Sequence, residues 1–213
     1  MAKLDTLTDD FTVYDPGKWT IDDSVGGDID IGDGRAAINT NAGIEGVFSV
    51  GAYDLLESYA FAQFISFGFL YPGKGFGFSL NINSGGPNED SAMFLCTESE
   101  TEGEYNLICL DGAGFGAEGT PIEPVATGVT YDPAIHSWLR IRESGGTIYW
   151  ETSPDTAPLE WSVMASGAHT FTSAQATVQL GGVFAPAAFT VSSFNIAPTP
   201  PIPANAGNFF AFF

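Results

Sequence analysis

The chain of 213 residues carries 26 acidic against 6 basic side chains, a formal net charge of −20, together with 26 glycines, 13 prolines and 14% aromatic residues. That balance lacks the Lys and Arg patch that phosphate neutralisation demands, so nucleic acid and anionic membrane surfaces are excluded as electrostatic partners. Only three lysines, Lys3, Lys18 and Lys74, and so many turn formers disfavour long surface helices, and the length suits a single all-β domain followed by a tail.

In chain order, Met1 to Asp10 contain no apolar core of a secretory signal, and no window approaches the ~18 apolar residues of a membrane span. The expectation is synthesis in the cytoplasm without a signal peptide. Phe11 to Trp19 read as a short strand running into the Asp15-Pro16-Gly17 turn, with Trp19 plugging one end of the core. Asp28 to Ile38 alternate on both sides of Gly32-Asp33-Gly34 and so predict a hairpin. The acidic string Asp28, Asp30, Asp33 resembles part of a calcium loop, but Ile31 and the extra residue before Gly34 break that pattern and no Glu closes it. No metal or other cofactor is expected, and a calcium ion near Asp28 to Asp33 is left open.

Tyr59 to Phe69 and Gly75 to Asn83 alternate aromatic or aliphatic residues with small or polar ones and predict central strands. Ser91 to Thr97 and Tyr105 to Asp111 flank an acidic tip, Glu98 to Glu104, that belongs in water. Cys96 and Cys109 face each other across that hairpin and are expected as reduced thiols. Gly112 to Thr130 form the longest irregular connection, which leads through Tyr131-Asp132-Pro133 to the most explicit element of all. In His136 to Asp155, Leu139 and Ile141 alternate with Trp138, Arg140 and Arg142, Gly145-Gly146 supply the turn, and Thr147 to Thr152 alternate again. Arg140 and Arg142 opposite Glu151 predict cross-strand ion pairs, and only one of Tyr149 and Trp150 can face the core. Leu159 to Met164, Ala176 to Phe184 and Ala188 to Ile196 complete about a dozen strands, which means a sandwich or barrel.

The two histidines, His136 and His169, have no G-x-S-x-G serine to activate, and no C-x-x-C or H-x-x-x-H provides a zinc site. Glycoside hydrolysis asks for two converging carboxylates, and the strand patterns E-x-D-x-E and E-x-D-x-x-E are both missing. No enzymatic activity is expected. Sugar binding without catalysis asks for aromatic faces, for which Tyr149, Trp150 and Trp161 are the candidates, each weighed against packing in the core or between sheets. At Ala197 the composition changes: Pro198, Pro200, Pro201 and Pro203 make an extended linker, and Phe209, Phe210, Phe212 and Phe213 follow as an apolar cluster. Residues 1–197 are therefore read as the sandwich and residues 198–213 as a partner-binding anchor.

The run Trp138 to Asp155 resembles a string in minor tail proteins of siphophages that infect actinobacteria, where it belongs to concanavalin A-like lectin/glucanase, laminin G-like jelly-roll domains. Asp9-Asp10-Phe11 with Asp15-Pro16-Gly17-Lys18-Trp19 resembles the usual start of such domains, and the likeness extends over roughly residues 5 to 197. It implies an all-β concanavalin A-like jelly-roll sandwich and a structural virion protein, a minor tail or tail-tip component with possible host-glycan adhesion. It carries no functional residue with it. The implied partners are other tail or capsid proteins engaged through the C-terminal segment, further copies of the chain, and host cell-wall glycan. A free-standing carbohydrate-binding module and a capsid decoration protein are the rival expectations, with a glycoside hydrolase behind them.

Overall fold

The computed structural model describes residues 1–41, 45–67, 75–83, 90–99, 104–112, 123–125, 128–169, 174–183 and 187–200. The strands are β1 (Trp19–Asp22), β2 (Asp28–Gly32), β3 (Arg35–Thr40), β4 (Gly46–Ser49), β5 (Tyr53–Asp54), β6 (Tyr59–Phe67), β7 (Gly75–Ile82) and β8 (Asp90–Glu98). Then follow β9 (Tyr105–Gly112), β10 (Glu123–Pro124), β11 (Val129–Thr130), β12 (Trp138–Ser144), β13 (Thr147–Ser153), β14 (Ser162–Ala168), β15 (Gln175–Val183) and β16 (Ala187–Phe194). A single 3-10 turn, Leu4–Thr6, is the helical content among the described residues.

Two antiparallel sheets face each other. Sheet A has the order β1-β4-β15-β7-β8-β9-β10, with β11 also on β9 and β5 on β15, and sheet B has the order β14-β13-β12-β6-β16-β3-β2. Neighbours in sequence often lie in different sheets, as β6 and β7 or β15 and β16 do. Because partners in a ladder share a face, the register assigns each side chain. Val47, Leu180, Phe78, Phe94 and Cys109 form one inward row across sheet A. Opposite them, Ala62, Leu139, Ile141, Phe189, Val191 and Trp150 supply the inner face of sheet B, all nearly or fully excluded from water. Phe64, Phe67, Phe76 and Phe189 stack between the sheets with centroids from 4.6 to 6.4 Å apart.

The predicted hairpins form where their turn chemistry placed them. Gly145 and Gly146 have φ of +60° and +79°, and Asp33 and Gly34 +53° and +79°, the double left-handed geometry that matches strand twist in a two-residue turn. Trp19 is 1% exposed and does close one end of the core, against Phe11 and Phe194. Cys96 and Cys109 point inward as diagonal neighbours and remain free thiols; burial pushes the Cys109 thiol up to about 12.

Three expectations need correction. Phe11 to Trp19 are not a strand, because Asp9 Oδ1 accepts from the Phe11 amide, which turns the chain at φ +54° there, and β1 begins where the predicted strand ends. The strand expected from Leu159 starts at Ser162, since Pro158, in a cis bond to Ala157, and Trp161 belong to a segment outside the sheet. The hairpin tip at 100–103 and most of the connection at 113–122 lie outside the described residues, whereas β10 and β11 emerge from a stretch read as irregular.

Candidate functional site

The outward face of sheet B gathers the residues singled out in the hairpin. Tyr59, Arg142 and Tyr149 form one row, Phe61, Arg140 and Glu151 the next. Glu151 Oε2 accepts from Arg140 Nε at 2.6 Å and Oε1 from Arg142 Nη2 at 3.2 Å, so the predicted cross-strand pairing is present and holds a nearly buried carboxylate. The Arg140 guanidinium lies 4.1 Å from the Trp161 ring centre and that of Arg142 4.2 Å from Tyr149. Trp161 also packs on Phe61 at 5.6 Å, while Trp138 donates its indole N–H to Asp155 at 3.0 Å. The segment between β13 and β14 thus folds back over the sheet. Tyr149 and Trp161 have their outer-face partners among the arginines, and both remain partly accessible.

Trp150 is a different case. It is fully buried, lies inward, and donates its indole N–H across the sandwich to the Met93 carbonyl at 3.1 Å. A ring enclosed by both sheets offers no face to a sugar, so the expectation of Trp150 as a stacking residue is corrected: it is an inter-sheet tie. Phe209, Phe210, Phe212 and Phe213 lie outside the described residues. Asp28 and Asp30 are exposed on β2 and Asp33 sits in its turn; no group of three His, Cys, Asp or Glu arranged for a metal occurs among the described residues.

A concavity with binding chemistry lies elsewhere, at one end of the sandwich, with a volume of about 360 Å³. Its walls are the end of β6 (Ile65, Ser66, Phe67), the start of β9 with Glu104 and Tyr105, Thr130 at the end of β11, and Tyr131 and Pro133 beyond it. Phe67 meets Tyr131 edge-on at 4.6 Å and Tyr105 at 5.8 Å, so three rings converge on one opening. Burial raises the Tyr131 and Tyr105 phenols above their ordinary range, with Cys96 and Asp132 adding for Tyr131 and Glu98 and Cys96 for Tyr105. Behind Tyr131 a turn is locked by His136, whose Nδ1 accepts the Asp132 amide at 2.9 Å. Burial depresses the His136 pKa, against an opposing pull from Asp132, in keeping with a ring nitrogen that must stay unprotonated to accept. Ser66, Thr130 and Glu104 bring polar groups to the same rim. Aromatic faces beside hydroxyls and a carboxylate are what a polyhydroxylated ring needs for stacking and hydrogen bonding.

Sequence reasoning missed this pocket because its residues come from three separated strand ends. Tyr131-Asp132-Pro133 registered only as the lead into the next hairpin, and Tyr105 only as a strand start. The one available signal was the aromatic at each of those ends.

A second group closes the tip of the β12–β13 hairpin. Glu143 accepts from the amides of Glu57 and Gly146 and contacts His169 Nε2 at 3.0 Å. Burial pushes its carboxyl up, but these donors outweigh it and leave the pKa below the usual value. This is a structural clasp beside a cleft of only about 110 Å³.

No protein-family model matches the chain, and no curated protein does. Solved structures do match. A functionally unknown protein from Saccharomyces cerevisiae aligns at a TM-score of 0.55 and 11% identity over 88% of this chain and 97% of that one. The apo Crh5 transglycosylase aligns at 0.51 and 14%, covering 88% and 81%. A legume lectin-like domain from Entamoeba histolytica aligns at 0.50 and 10%, covering 83% and 88%. At such identities the likeness speaks for architecture alone. The chain has the concanavalin A-like lectin/glucanase fold, an all-β two-sheet antiparallel sandwich.

Proposed function

We propose that this chain is a non-enzymatic, lectin-like virion protein of a tailed phage, a minor tail or tail-tip component that adheres to host-surface glycan through the end pocket. The observation that carries the adhesion is the convergence of Phe67, Tyr105 and Tyr131 with Ser66, Thr130 and Glu104 around about 360 Å³. One carboxylate lines that pocket among the described residues, whereas glycoside hydrolysis works with two, which favours binding over cleavage. The virion context rests on the sequence resemblance of Trp138 to Asp155, and attachment to other tail or capsid proteins is assigned to residues 198–213. A capsid decoration protein would use the same fold and tail at another place in the particle.

The test is binding of the purified chain to polysaccharide fractions of host cell wall, with Tyr105→Ala as the pocket variant and Tyr149→Ala as the control. We expect saturable binding that Tyr105→Ala weakens about tenfold or more, equivalent to ~1.4 kcal/mol, and that Tyr149→Ala leaves unchanged. Failure of the intact chain to bind any wall fraction overturns the adhesion reading. Mass-spectrometric absence of the chain from purified particles overturns the virion reading separately.

A further inference from the structure

The core of the sandwich lies between the sheets, so the outward face of sheet A should meet water. Over its middle strands it does not. β7 and β8 are buried along nearly their whole length on both faces. The outward row Phe48, Gln179, Ser79, Met93 and Leu110 is set by the ladders of β4, β15, β7, β8 and β9. In that row Gln179 is 2% exposed, Ser79 1%, Met93 1% and Leu110 8%. The adjacent row runs Gly181, Gly77, Leu95 and Ile108. Met93, Leu110, Leu95 and Ile108 form an apolar cluster separate from the main core, and among the described residues no other hydrophobic side chain joins it. Four aliphatic side chains standing side by side on a sheet cannot shield their own tips from water, so this face is built to be covered.

We propose that the cover is the chain's own Phe-rich C-terminal segment, residues 204–213, docked in cis on the outward face of sheet A. Three observations favour this occupant. The first is chemistry: in a chain of net charge −20, these two rows from β15 to β9 and residues 197–213 carry no charged side chain, the second row meeting a charge only at Asp22 on the edge strand β1, and the segment ends in Phe209, Phe210, Phe212 and Phe213. Each buried aromatic removes on the order of 150–250 Å² from water, enough for four of them to cap a four-residue cluster. The second is origin: β16 ends at Phe194, whose ring meets Trp19 of β1, the edge strand of sheet A, at 5.2 Å. The third is reach. From β1 to β8 is four strand steps, roughly 19 Å at ~4.8 Å each. The linker of residues 197–204, extended at ~3.1 Å per residue, spans about 25 Å. The inference rests on the fold and concerns the free chain before assembly, so it stands or falls apart from the glycan and virion readings.

Met93 is the probe, as one of three methionines with Met1 and Met164. The chain is labelled with ¹³C at the methionine methyls, and spectra are compared for the full chain, a chain ending at residue 197, and the full-length Phe209→Ser/Phe210→Ser/Phe212→Ser/Phe213→Ser variant, which preserves chain length. In the full chain we expect an upfield ring-current displacement of the Met93 methyl and cross-peaks to phenylalanine ring protons. Both changed chains should lose them while Met1 and Met164 stay in place. An unmoved Met93 methyl in the Ser variant means that another segment covers the face and overturns the proposal. A dilution series in which the displacement fades, or its restoration when unlabelled full chain is added to the labelled truncated one, means that the segment comes from a second copy and overturns docking in cis.

Discussion

The two outward faces of this sandwich solve the same problem in opposite ways. Sheet B turns outward charged and aromatic residues that saturate one another: Glu151 holds both Arg140 and Arg142, and the guanidiniums in turn lie against Trp161 and Tyr149. Sheet A turns outward, over its middle strands, Gly77, Gly181, Ser79, Gln179, Leu95 and Ile108 beside Met93 and Leu110, and its four apolar side chains form a cluster that no other hydrophobic side chain among the described residues joins. A self-paired polar face is complete within the sheet, whereas an apolar one leaves a surface that something else must finish. That difference explains why the hairpin rich in Arg, Trp and Tyr, which draws attention in the sequence, needs nothing further to complete its face.

Trp150 is the member that joins the two faces, and replacing it should have the largest effect. Trp150→Ala removes a fully buried ring and its bond to Met93, and should cost about 3–5 kcal/mol, read as a fall in the urea midpoint. A loss below ~1 kcal/mol would mean that the sheets do not depend on this tie. Next is Glu151→Gln, which leaves two guanidiniums around a neutral amide. Because the arginines are partly exposed, about 2 kcal/mol is expected rather than the full figure for a buried pair. An unchanged midpoint would show the outward face of sheet B to be solvated rather than sealed, and the contrast with sheet A would collapse.

The smallest effect is the pH response of the pocket wall. The folded pKa of His136 lies below its ordinary 6.5, so the unfolded chain takes up the proton first. Stability from this group is complete above that value and declines as pH falls through the folded pKa, when protonation takes Nδ1 away from the Asp132 amide. Glu143 acts in the same direction but only below about 4.5, its ordinary value. Denaturation midpoints from pH 7.5 to 5 should therefore fall slightly for the intact chain and less for His136→Gln. Equal slopes would remove His136 from the account.

How much of this was legible in the sequence depended on how local each feature is. The β12–β13 hairpin was legible in full, because strict alternation and Gly145-Gly146 encode register and turn within one short stretch. β4 and β5 were not read at all, since Gly46–Ser49 and Tyr53–Asp54 are too short for periodicity to emerge and owe their conformation to β1 and β15 beside them. Trp150 and Trp161 look alike as sequence. Alternation ties Trp150 to one face without saying which, and the return of residues 154–161 over sheet B, which decides what Trp161 touches, leaves no periodic trace. The pocket was invisible for the corresponding reason: Phe67, Tyr105 and Tyr131 become neighbours only when β6 of one sheet meets β9 of the other.

The edge strand β2 carries one more consequence. Its acidic alternation invites comparison with a cation loop, yet Asp28 and Asp30 stand exposed on the outermost strand of sheet B among the described residues, where Val13 bridges only its last residue, Gly32. There they work as fences. A second chain that tried to extend the sheet by pairing with β2 would bring its own aspartates against these, on a molecule already at −20. Growth into filaments through that margin is therefore opposed at every added chain, and a crowded array of copies can stay separate along its β2 edges.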